Sequence, residues 1–219
     1  MRRIAHLSDL HFGRIAPGVL SPLRECVRRM EPHLVVVTGD LTAGAGPAQF
    51  RDARSFLDTL PGPQVVVPGA GDAARRGLFR AAPLAAYRRF VADDVEPEYA
   101  DDVIAVIGVT DEDPRRVHSR IHGLDARAVK IVAASTALVD SGADIVLTAS
   151  GQDVGERDSP TPLVVQSGMG PQGSSRAGIL SLHSLLVEGN VVIVERWSWS
   201  GQTRRFEAQG RETYGLPRS

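Results

Sequence analysis

Two side chains near the start of the chain have the types and spacing to share a metal ion. Asp9 and His11 follow the apolar run Ile4-Ala-His-Leu7 in the order Asp-x-His. On an extended chain, residues two apart point to the same face, so a carboxylate and an imidazole are expected to project together from a strand's end. Oxygen and nitrogen donors of this kind suit Mn, Fe or Zn. A second apolar run, Leu34-Val-Val-Val-Thr-Gly-Asp40, also finishes in a carboxylate. A third, Gln64-Val-Val-Val-Pro-Gly69, leads into Ala70-Gly71-Asp72. In an open α/β sheet, ligand clefts form beyond the carboxyl ends of the strands. Asp9, His11 and Asp40 are therefore expected to converge there.

The elements that must position them alternate through the first half. Strands are predicted at 3–8, 34–38, 64–67 and 103–109. Helices are predicted near 22–30, near 47–60 and within 73–93. Ser21 can cap the first helix and Pro22 suits its first position. Phe50, Ala53, Phe56, Leu57 and Leu60 recur at helical spacing in the second. Strands this uniformly apolar imply sheets covered on both faces. The second half reads as a helix near 125–141, a strand at 144–148, a polar loop at 151–161 and a strand at 163–167. After a Gly/Ser-rich link comes a hairpin of 181–187 and 191–199, then a short strand near 204–208. Helices cease there, which predicts a largely antiparallel second sheet packed on the first.

Composition narrows the function classes. At 219 residues and 42% hydrophobic, the chain can bury one sizeable core, and residues 1–219 read as a single domain. A formal net charge of −1 gives no broad attraction to nucleic acid or to anionic membranes, so neither is an expected partner. The lone cysteine, Cys26, rules out an internal disulfide framework and falls on the inner face of its helix. No apolar run resembles a signal peptide or a membrane span, so the expected location is cytoplasmic. Neither G-x-S-x-G nor the G-K-[S/T] of a phosphate-binding loop occurs.

The three strand-end segments, in this order, resemble the calcineurin-like metallophosphoesterases and within them the cyclic-nucleotide-phosphodiesterase-like branch, whose run is D-x-H, then G-D, then G-N-H-D. The resemblance implies a four-layer α/β/β/α sandwich, trimmed in the middle. It implies that Asp9 and His11 are the D-x-H ligands and Asp40 the carboxylate bridging two ions. Val67-Pro-Gly-Ala-Gly-Asp72 aligns with V-P-G-N-H-D, which puts Ala70 at the Asn ligand and Gly71 at the catalytic His. Asp72, whose counterpart orients that His, remains. Asp144-Ile-Val-Leu-Thr-Ala-Ser-Gly-Gln152 resembles D-L-V-L-x-G-H-x-H, with Ser150 and Gln152 in the two His positions. The H-H-P-like segment is missing from the interval before Asp144.

Methyl and hydrogen side chains can neither coordinate a metal nor transfer a proton. No catalytic residue is assigned, a dinuclear centre is not expected, and at most one weakly bound Mn, Fe or Zn ion is expected at Asp9, His11 and Asp40. The expected function is a catalytically inactive or strongly impaired metallophosphoesterase-fold protein. The alternative is a divergent single-metal phosphodiesterase, with Arg14 as a candidate phosphate contact and a small phosphoester or nucleotide as ligand. Blander readings stand beside these. Arg14 is most simply a solvated surface residue, and Trp197 and Trp199 a sheet-packing pair. His6 reads as a hydrogen-bonded core or face residue and His183 as a packing one. His118 and His122 have the i, i+4 spacing of a helical zinc pair, but Gly123 follows at once and an exposed turn is the preferred reading.

Overall fold

The computed structural model describes residues 1–73, 83–110, 113–136, 138, 140–149, 162–168 and 180–216. Its first sheet is built on three parallel strands, β1 (Arg2–Ser8), β2 (Leu34–Thr38) and β3 (Gln64–Val66). The second contains β4 (Glu98–Ala100), β5 (Ile104–Val109), β6 (Val129–Ala134), β7 (Ile145–Ala149) and β8 (Leu163–Ser167), in that spatial order. All neighbours from β5 to β8 are parallel, and β4 runs antiparallel at the edge.

Alternation along each strand assigns its two faces. Ile4, Leu34, Val36, Val65 and Val67 meet Ile104, Val106, Ile131, Ile145, Leu147 and Val165 to form the layer between the sheets. Ala5, Leu7, Val35 and Val37 face the other way, under α1 (Pro17–Met30) and α2 (Pro47–Leu57). Leu23, Cys26 and Val27 of α1, and Phe50, Ala53 and Leu57 of α2, close that layer. On the far side, Val117 and Ile121 of α4 (Pro114–His122) pack on Ile107, Val109, Val132 and Val146. The result is an α/β/β/α sandwich, and central strands such as β2, β5 and β7 are apolar on both faces because both faces are covered.

Several sequence expectations need correction. α1 starts at Pro17, not beside Ser21, so Pro22 lies inside the helix. Pro17 takes the first helical position, where its missing N–H costs nothing. The helix expected near 125–141 is replaced by strand β6, and the helix lies earlier, at Pro114–His122. Asp113 caps it by accepting from Arg115 N–H at 3.0 Å, Pro114 begins it, and Val117 and Ile121 give it an apolar stripe. Of the helical stretch expected within 73–93, Ala85–Phe90 (α3) is helical, and residues 74–82 lie outside the described ones.

The late hairpin also lands elsewhere. β9 (Ser181–Glu188), β10 (Val191–Ser200) and β11 (Arg205–Gly215) are antiparallel, but they extend the first sheet. β9 pairs with β1 through the register His6 to His183. The second sheet is the mainly parallel one. β11 runs well beyond the short strand expected near 204–208, because β10 offers it a full ladder up to Gly215.

Candidate functional site

β1 and β2 end side by side, and the loops that follow them are zipped together. Asp9 N–H donates to Thr38 O, His11 N–H to Asp40 O at 3.1 Å, and Phe12 N–H to Leu41 O at 2.8 Å. The chain is not extended here, contrary to the simple two-residue rule. Asp9 (φ 55°) and His11 (φ 45°) both adopt left-handed backbone, an uncommon state for residues with a Cβ. Such strain persists where surrounding contacts over-determine it, and it clusters at functional sites. The turn brings Asp9 Oδ1 to within 3.3 Å of the Asp40 N–H, which it accepts. Gly39 makes this approach feasible, since at φ 77° a Cβ there would lie 2.6 Å from Asp9 Oδ1 and 2.8 Å from Ser8 Oγ.

The third segment closes over Asp40 as a short 3-10 turn, Ala70–Asp72. Gly71 N–H donates to Asp40 Oδ1 at 2.7 Å. A Cβ at Gly71 would sit 2.4 Å from Asp40 Oδ2, so the Asp40 carboxylate fills the space into which a side chain at 71 would start. Ala70 is exposed at the mouth. β7 reaches the same place from the second sheet, because Ala149 Cβ lies 3.2 Å from the Cβ position of Gly39. Asp9, Asp40, Ala70 and Gly71 thus share one cleft at the strand ends. Ser150 and Gln152 lie outside the described residues. Arg14 stands exposed at the end of the first loop, its N–H donating to His11 O at 2.8 Å.

Asp72 is fully buried beneath the cleft. One of its oxygens accepts from Leu41 N–H at 2.9 Å and Gly69 N–H at 3.1 Å. The other accepts from Thr42 N–H and Thr42 Oγ1, both at 2.8 Å. Burial pushes its carboxyl up to about 6, against the pull of those four donors. Asp72 ties the loop after β2 to the loop after β3.

A second polar cluster bears out His6 as a hydrogen-bonded core residue, whereas His183, expected only to pack, is hydrogen-bonded too, and Ser167 and Thr38 escaped the sequence reading. His6, Thr38 and Ser167 are fully buried and His183 nearly so. Ser167 Oγ donates to His6 O at 3.1 Å and lies 3.0 Å from His6 Nδ1 and 2.8 Å from His183 Nδ1. One hydroxyl proton serves one acceptor, so with that proton on His6 O the two rings must be the Nδ1–H tautomers that donate to Ser167 Oγ. His6 Nε2 then accepts from Thr38 Oγ1 at 3.0 Å. Burial holds His6 well below the ordinary imidazole range, helped by His183, and lowers His183 to about 4, helped by the charge of Arg196.

Residues 2–130, more than half of the chain, match the family model of the calcineurin-like phosphoesterases. The chain belongs to that family. No curated protein sequence matches it closely enough to count as a relative. Among solved structures it is similar to Vps29 from Chaetomium thermophilum, with a TM-score of 0.56 and 13% identity over 99% of this chain and 98% of that one. Wild-type Vps29 from Entamoeba histolytica, complexed with Zn2+, gives a TM-score of 0.51 and 11% identity over 97% and 98%. Purple acid phosphatase PPD1 from yellow lupin gives 0.65 and 9%, covering 98% of this chain and 53% of that one. These likenesses establish the shared fold.

Calcineurin-like phosphoesterases use divalent metals. The carboxylates of Asp9 and Asp40 and the imidazole of His11 are donor types that suit a borderline ion, but the expected convergence is incomplete, because the three do not gather closely enough to hold one. His11 Nδ1 is buried and has no protein partner among the described residues, as a ligand atom would be. Fit to a second ion is poor, because Ala70 and Gly71 bring no donor atom to the cleft. Among the described residues, no three His, Cys, Asp or Glu side chains gather closely enough to hold an ion.

Proposed function

We propose that this calcineurin-like phosphoesterase has lost hydrolysis and acts as a binding or structural module. The observation that carries this reading is at position 71, where the family's proton-donating His is replaced by Gly and the space is filled by the Asp40 carboxylate. The family reaction depends on a cooperative group of residues, and losing one member of such a group commonly removes most of the rate. Ala70 and Gly71 remove two together. In the binding role the cleft takes a small phosphoester or nucleotide, with Arg14 as its phosphate contact.

A second reading, single-metal phosphodiesterase activity, is favoured by one feature, the His11 Nδ1 that is buried without a partner among the described residues. Asp9, His11 and Asp40 would have to draw together on the ion, which would supply Lewis-acid polarisation of a phosphoryl oxygen. The chain's own residues would then position the substrate, through Arg14 and the amide-rich loops, without a protonating group at 71.

The deciding experiment measures metal content after purification with Mn, Fe or Zn, alongside turnover of bis-p-nitrophenyl phosphate. We expect no turnover and at most one ion that depends on Asp40. Two tightly held ions that both disappear in Asp40→Asn, together with turnover lost in the same variant, would overturn the proposal.

A further inference from the structure

His118 and His122 are one helical turn apart on α4, and both are exposed. Their Nε2 atoms lie 2.9 Å from each other, with ring centroids 4.3 Å apart and planes at 73°. Gly123, which argues for a turn in the sequence, is only the residue that ends the helix. Val117 and Ile121, their neighbours in the chain, are buried and anchor the helix to the second sheet, so the pair stands on a rigid element. The ring of His118 is further held against Gly142, where a Cβ would lie 2.9 Å from His118 Nδ1. Only a glycine leaves room for the imidazole at that place.

We infer that His118 and His122 form a two-imidazole chelate for a borderline divalent transition metal, separate from the strand-end cleft. Imidazole nitrogens bind such ions at about 2.0–2.1 Å. Two ligands at right angles on one ion are then about 2.9 Å apart, and two at the tetrahedral angle about 3.3 Å apart. The observed 2.9 Å matches the first arrangement and needs only a small ring rotation for the second. The ion takes the place of the proton that the two nitrogens share when both rings are neutral. Water completes its shell, so the site is exchangeable.

Two of the nearby cations on α4 are held by carboxylates. Arg120 bonds Glu96 and Glu98, and Arg116 bonds Glu96. Position in the fold separates this site from the cleft. Gly142, which touches His118, precedes β7, whereas Ala149 at the other end of β7 borders the cleft. The two sites therefore lie at opposite ends of the second sheet.

The test is calorimetric titration of the whole chain with Cu2+, Ni2+, Zn2+ and Mg2+, on the wild type and on His118→Ala, His122→Ala and Asp40→Asn. We expect Cu2+ and Ni2+ to bind at one site per chain at least as tightly as Zn2+, with no binding of Mg2+ to that site. Each His variant should lose at least about tenfold in affinity, and Asp40→Asn should leave this site unchanged. Electron spin resonance of the Cu2+ form should show coupling to two nitrogens, reduced to one or none in either His variant. Unchanged affinity in the His variants, loss of this site in Asp40→Asn, or no binding to the wild type below millimolar metal would each overturn the inference.

Discussion

At the scale of single residues, Gly71 decides more chemistry than any side chain in the cleft. Its missing Cβ lets the Asp40 carboxylate fold back onto the Gly71 amide and fill the space a side chain at 71 would need. Restoring the family residues with Ala70→Asn and Gly71→His should therefore not restore hydrolysis of bis-p-nitrophenyl phosphate. The simpler Gly71→Ala should cost about 1 kcal/mol in urea unfolding, because the new methyl must displace the Asp40 carboxylate. A stable, active double variant would show that Asp40 yields easily and that the cleft is only two substitutions from working. Asp9, Asp40 and Asp72 are legible in the chain because each follows an apolar run. Their partners are not, since Asp72 binds across a gap of about thirty residues to Leu41 and Thr42, and no local pattern encodes that contact. The left-handed backbone at Asp9 and His11 is equally hidden, because neither residue type demands it.

At the scale of elements, the Ser167 cluster pins β8 of the second sheet to β1 and β9 of the first. Both histidines must be neutral to donate through Nδ1 and leave Nε2 bare or accepting, and burial enforces that state. The sign of the linkage follows from His183, lowered to about 4 from an ordinary value near 6.5. Between those pH values the unfolded chain binds a proton that the folded chain refuses, so stability falls as pH falls through that window. For His183 alone the loss by pH 4 is on the order of 3 kcal/mol. Asp72, raised to about 6, acts with the opposite sign in the same range and favours the fold as pH falls. A difference between variants removes that contribution. His183→Gln should therefore show a shallower loss of stability than the wild type between pH 6.5 and 4, measured by urea unfolding at each pH. Equal slopes would mean that His183 protonates without leaving its site. This joint also accounts for the main error of topology. The hairpin's antiparallel character is readable from its apolar runs and the Gly189 turn, but its choice of sheet rests on the pairing of His6 with His183 across more than 170 residues of chain.

At the scale of the whole molecule, the sandwich holds itself together without help from the cleft. Its three apolar layers bury the central strands, β2, β5 and β7 among them, on both faces, and the loops that carry Asp9, Asp40 and Asp72 are joined by backbone and carboxylate hydrogen bonds. A metal ion should therefore add little stability. Binding contributes RT ln(1 + [L]/Kd), which is about 0.4 kcal/mol when the free ion equals its Kd and about 4 kcal/mol at a thousandfold excess. For a chain of this size 1 kcal/mol corresponds to roughly 2–4 °C in melting temperature. Weak occupancy thus predicts an EDTA-induced drop of about 1–2 °C, whereas a tightly held family-type centre predicts about 10 °C. Measuring the drop in a His118→Ala, His122→Ala background removes the surface site and isolates the cleft. Asp40→Asn sharpens the comparison. The amide keeps a carbonyl oxygen for the Gly71 N–H and removes one of two like charges from a half-buried space, so the variant should melt at the wild-type temperature or slightly above it. In a metal-loaded hydrolase the same change would strip an ion ligand and lower the melting temperature toward that of the EDTA-treated protein. A fall of several degrees in Asp40→Asn, matched by a similar fall on chelation of the wild type, would assign the cleft to the single-metal enzyme.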